Sequence, residues 1–120
     1  MPVTDPERTF LDCLHLPRHA GGITEVAAAL VRAWPTVDQD RLISHADRLG
    51  NASVSRRLGA LTEALDLDQA GRLGGWLPHR QWRGRPVSLD PSLPAGGEID
   101  RRWGVRMNVP PDEFSMISRT

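Results

Sequence analysis

The chain has 120 residues, 39% of them hydrophobic and 25% charged, with a formal net charge of zero and one cysteine. These totals fit a single soluble domain with its own core. They exclude an internal disulfide and a polyanion binder by bulk charge. No apolar run approaches the roughly 20 residues of a membrane helix, and the polar start MPVTDPERT is not a secretory signal. A cytoplasmic protein is expected.

TDPERTFLDCLHL predicts a first helix. Thr4 can cap it, Glu7 stands three residues on, and Pro6 suits the first turn. Phe10, Leu11 and Leu14 share a face, and Pro17 ends the helix. After Gly21-Gly22, Ile23, Val26, Ala27, Leu30, Val31 and Trp34 form the clearest helical stripe in the chain, ended by Pro35. Thr36 with Gln39 reads as a capping box. It opens a third helix with Val37, Leu42, Ile43, Ala46 and Leu49 inward and Asp38, Arg41, His45 and Arg48 outward. Gly50 sits where a left-handed cap belongs. A fourth helix follows in NASVSRRLGALTEAL, with Val54, Leu58, Leu61 and Leu65 on one face. Gly59 inside it costs about 1 kcal/mol relative to alanine, which predicts a close approach there. A short fifth helix is expected from Leu67 to Leu73.

Seven glycines and six prolines between Gly71 and Pro111 exclude long helices. RPVSLDP reads as a short strand. RRWGVRMNVP alternates, with Trp103, Val105, Met107 and Val109 on one face and Arg102, Gly104, Arg106 and Asn108 on the other. The two are expected to pair as a hairpin through SLPAGGEID. The fold is therefore mainly α: a compact bundle of about five helices over 5–75, a hairpin-containing part over 76–110 and a loosely docked tail over 111–120.

Cys13, His15 and His19 have nitrogen and sulfur ligands for zinc, but Pro17 breaks the helix between the histidines and no second ligand pair follows. As a nucleophile, Cys13 needs a nearby base, and the adjacent Asp12 opposes thiolate formation. Packing is the better account of Cys13. No phosphate loop, GxSxG, HExxH or dinucleotide fingerprint is present. Gly21-Gly22 before a helix suits an anion or a tight turn between helices, and the turn is preferred. No catalytic residue, cofactor or metal is expected.

The charge is unevenly spread. Residues 79–106 hold six arginines against three carboxylates, a net of +3, while residues 1–78 carry −2. All fifteen basic residues are arginine, as in a GC-rich bacterial genome. HRQWRGRP sets Trp82 among Arg80, Arg83 and Arg85, and Arg56 and Arg57 open the fourth helix with Arg56 toward solvent. If the loop folds back near that helix, these six residues form a surface for a partner's acidic face or for stacked bases. The alternatives are a solvated loop whose tryptophan packs on the hairpin, or dimerisation through Trp76 and Trp82.

In order and spacing, ERTFLDCL, GGITEVAAAL, LGNASVSRRLGAL and RWGVRMNV resemble the C-terminal domain of the AbiEi-family antitoxins, over roughly residues 5 to 109. The resemblance implies a non-enzymatic antitoxin or regulatory domain of a bacterial abortive-infection toxin–antitoxin pair. Its functional partner would be a nucleotidyltransferase toxin that disables RNA-dependent steps of translation. Antagonism in that family is described as type IV, so no stable complex is required. The family usually carries an N-terminal winged helix that binds its own promoter, and this sequence is expected to start at the helix that follows it. It then reads as a short free-standing antitoxin or as one domain of a longer protein. The alternative function is a regulator that binds DNA or RNA through the same arginines. No membrane partner is expected.

Overall fold

A computed structural model describes residues 6–15, 22–67, 85–91, 93–94 and 96–118. Five α-helices stand among them: α1 (Pro6–His15), α2 (Ile23–Ala33), α3 (Gln39–Leu49), α4 (Ala52–Ala64) and α5 (Pro111–Ser118). A small three-stranded sheet lies near the C-terminus: β1 (Val87–Ser88), β2 (Ile99–Asp100) and β3 (Val105–Arg106). The fold is mainly helical, as the periodicity predicts. Thr4 and most of the expected helix from Leu67 to Leu73 lie outside the described residues.

The helical stripes become the interior. Phe10, Leu11 and Leu14 of α1 are buried with Ile23, Val26, Ala27 and Leu30 of α2, and with Val54, Leu58 and Leu61 of α4. Val31 and Trp34 are partly buried at the edge of this core. Helix α1 packs on α2, α3 and α4, while α4 also meets α3, β1 and β3. Every residue of α4 from Val54 to Thr62 is buried. A helix covered on all sides has no solvent face for polar groups, so each one inside must find a partner. Thr62 does so within the helix: its hydroxyl donates to Leu58 O at 2.9 Å.

The start of α3 differs from expectation. Its N-cap is Asp38, whose side chain accepts from Arg41 N at 3.2 Å. Pro35 tightens the chain into a 3-10 turn, Trp34–Thr36, in which the Thr36 hydroxyl donates to Ala33 O at 2.7 Å and is no longer available as a cap. The Asp38 backbone N–H donates to Glu7 Oε1 at 2.9 Å, joining the first turns of α1 and α3. Leu42 and Ala46 face inward, but Leu49 is 47% exposed. At the last residue of its helix, Leu49 lies on a shallow groove beside Arg8 and Asp12. Gly50 closes α3 in the left-handed region at φ 65, as its position predicts.

The sheet also differs. The order is β1-β3-β2, with β1 parallel to β3 and β2 antiparallel to it. Val87 aligns with Val105, and Asp100 also aligns with Val105 from the other side. The hairpin therefore joins β2 to β3, and the two segments expected to form it run parallel. Asp100 makes the turn: its carboxylate accepts from Arg102 N at 3.0 Å and Trp103 N at 3.2 Å, and Gly104 takes φ 68. The predicted alternation survives in burial, since Trp103, Val105 and Val109 are inside. Asn108, expected outward, clasps the loop after β1. It donates to Asp90 O at 2.8 Å and accepts from Asp90 N at 3.0 Å.

The segment expected as a loose tail is α5, docked on α2 through buried Phe114. Its sequence carries a helix-start signature, with proline at the first position and Asp112 and Glu113 in the first turn.

Candidate functional site

Of the six residues expected to form one surface, the structure describes Arg56, Arg57 and Arg85. Arg80, Trp82 and Arg83 lie outside the described residues. Arg85 is exposed, and its backbone carbonyl accepts from Arg56 Nη1 at 3.3 Å, so residue 85 does reach α4. Arg56 and Arg57 are not surface groups: they are only 6% and 7% exposed. Arg56, expected toward solvent, lies under the β2–β3 turn, where any side chain at Gly104 would run into its guanidinium.

Arg57 is the peg of the domain. Its Nε donates to Ser88 O at 2.9 Å, and its Nη1 donates to Leu14 O at 3.1 Å. Leu14 lies in the last turn of α1, where the helix leaves carbonyls without intrahelical partners and carries partial negative charge. Asp90, 3% exposed, accepts from Ile23 N at 3.3 Å at the start of α2, the partially positive end of that helix. One buried cation thus complements the end of α1, and one buried anion complements the beginning of α2. Burial lowers the pKa of both arginines from the ordinary value, and for Arg57 the Asp90 carboxylate pulls the other way. The double glycine does precede a helix with an anion at its N-terminus, and the anion is the chain's own Asp90.

Gly59 marks the second fixed point. Trp103, 1% exposed, lays its ring where a side chain at residue 59 would stand, and its indole N–H donates to Glu63. The close approach predicted at Gly59 is made by this ring. Glu63 also meets Arg102 at 3.6 Å, a half-exposed pair of small energetic weight.

Cys13 is partly buried. Desolvation raises its thiol pKa above the ordinary value, and the Asp12 charge raises it further. That is opposite to what an attacking thiolate needs. Native Cys13 should react with a disulfide reagent at pH 8 more slowly than in the urea-unfolded chain. A faster native reaction would mean an activated thiol. Because the folded thiol keeps its proton to higher pH than the unfolded one, its contribution to stability is present below about pH 8.5 and lost as pH rises beyond the thiol range. His15 meets the Asn51 side chain at 3.4 Å, and His19 lies outside the described residues. Among the described residues no three His, Cys, Asp or Glu side chains gather as a metal site.

The most site-like feature among the described residues was not read from the sequence. An open cleft of about 650 Å³ lies between the end of α4, the Gly96-Gly97-Glu98 loop, the end of β3 and α5. Ala64, Met107, Val109 and Phe114 supply apolar walls, and Glu98 is the one charged residue among the described residues lining it. Gly97 is at φ 75, and a Cβ there would collide with Met107 O, so the loop can run this close only as glycine. Met107 N donates to Glu98 O at 2.8 Å and fixes the backbone at the rim. The available signals were the Gly96-Gly97 pair, of which Gly97 makes the close backbone approach, and the helix start at Pro110-Pro111-Asp112.

Compared with known families, curated proteins and solved structures, the chain matches none. No helix among the described residues is long and apolar enough to cross a membrane.

Proposed function

We propose that this chain is a non-enzymatic antitoxin domain that acts in the bacterial cytoplasm against a nucleotidyltransferase toxin of an abortive-infection pair. The reading rests on the AbiEi-like order of four motifs, and one observation supports treating them as a unit. Leu11 and Leu14, Ile23 and Val26, Leu58 and Gly59, and Trp103 and Val105, taken from the four motifs in turn, belong to one interior. Residues that look distinctive in the sequence, including Arg57, Gly59 and Trp103, serve that interior. Specificity for the toxin then falls to groups that the fold does not consume.

Arg56 and Arg57 leave the proposed surface because their guanidiniums serve the fold. Arg80, Trp82, Arg83 and Arg85 remain as its candidates. Changing Arg80, Arg83 and Arg85 together to alanine is expected to abolish rescue of toxin-expressing cells, with the melting temperature changed by only a few degrees. Full rescue by the folded triple variant would remove the surface from the account. The same surface could instead bind nucleic acid directly. That reading requires a gel shift that weakens by about 0.9 log units per phosphate contact for each log unit of salt on duplex DNA. Absence of a shift at low salt favours the antitoxin reading.

A further inference from the structure

We propose that the cleft beneath α5 binds a small organic cation with an apolar body, of the aryl- or alkylamine class. The inference stands apart from the antitoxin reading and rests on the cleft alone. At about 650 Å³ the cleft has the size of an ordinary small-molecule site, and its walls are mostly apolar. Half-buried Met107 offers a polarisable thioether to an apolar body, and Phe114, mostly spent on packing against α2, backs the cleft with the little of its ring left open.

The charge of the ligand follows from what faces the cleft. Glu98 is exposed, its backbone is pinned to Met107 N, and no arginine or histidine lines the cleft among the described residues. Of the other polar side chains lining the cleft, Asn108 is committed to both backbone groups of Asp90, and Ser115 brings only a neutral hydroxyl. Helix α5 brings partial positive charge with its N-terminus, but exposed Asp112 and Glu113 in its first turn offset that charge. An anion would meet Glu98 with nothing to compensate it. An ammonium beside Glu98 gains a charge-assisted hydrogen bond while its apolar part leaves water.

The test is a titration of the full chain, followed by backbone amide NMR shifts, with phenethylamine and with 3-phenylpropionate. The two carry a phenyl ring on a short chain and bear opposite charges at pH 7. Phenethylamine is expected to shift the amides of Gly96, Gly97, Glu98 and Phe114 and to bind about five-fold more tightly than the acid. Glu98→Arg changes an exposed side chain, so the fold should hold, as an unchanged melting temperature would verify. In that variant the preference should reverse. Three results would overturn the proposal: no shift at these amides with either compound, equal affinity for the two, or an unaltered preference in Glu98→Arg.

Discussion

Replacing Arg57 with methionine is expected to destabilise the domain by about 3–5 kcal/mol, the usual consequence of removing one partner from a buried charged network. The substitution keeps much of the aliphatic volume and removes the guanidinium. Leu14 O and Ser88 O then lose their donors, and the Asp90 carboxylate loses a compensating positive charge. Asp90 is the most costly of them, because it stays almost fully buried at the start of α2. Urea denaturation should register the loss as a lower midpoint with little change in slope. Adding Asp90→Asn removes the stranded charge and keeps an oxygen for Ile23 N. The double variant should therefore lose less than the sum of the two single losses. By contrast, Arg85→Ala should cost under about 0.5 kcal/mol, since residue 85 contributes its carbonyl and not its exposed side chain. A loss below about 1 kcal/mol in Arg57→Met would show that the peg is not structural.

Gly59→Ala is expected to reverse the usual sign of a glycine-to-alanine change within a helix. Ordinarily the substitution gains about 1 kcal/mol. Here the new methyl lands on the Trp103 ring, which is fully enclosed and cannot step aside. Overpacking of a filled core costs about 1–3 kcal/mol, and here it takes the upper part of that range because three ring atoms are struck at once. A net loss of about 2 kcal/mol is the expected outcome by thermal or urea denaturation. Trp103→Leu supplies the control. It is itself destabilising, but in its background the methyl meets space, and Gly59→Ala should become neutral or favourable. A penalty of the same size in both backgrounds would mean that something other than the ring opposes the methyl.

These two sites also show what the sequence could and could not reveal. Helical stripes in α1 and α2 and the Gly50 cap were legible because each depends on residues a few positions apart, whereas a glycine inside a helix announced a close approach at Gly59 without naming Trp103, far along the chain, as its cause. The fate of Arg56 and Arg57 was not. Charged side chains are rarely buried without partners, and their partners here stand 29 to 43 residues away along the chain. Strand direction escaped for the same reason. Each strand has two residues, and long-range contacts such as the Asn108 clasp on Asp90 fix the loop between β1 and β2. Helix α5 was readable in principle, since proline and two acidic residues announce its start. Its docking on α2 depended on a neighbour more than 80 residues earlier, which local pattern does not show. The cleft inherits both difficulties, being bounded by α5 and by the Gly96-Gly97 loop.

Growth of cells that express a nucleotidyltransferase toxin of the abortive-infection class tests the proposed function most directly. Co-expression of the intact, folded chain should restore colony numbers to those of toxin-free cells, and Cys13→Ala should restore them equally. A soluble, folded chain that leaves the toxin fully lethal would contradict the antitoxin reading.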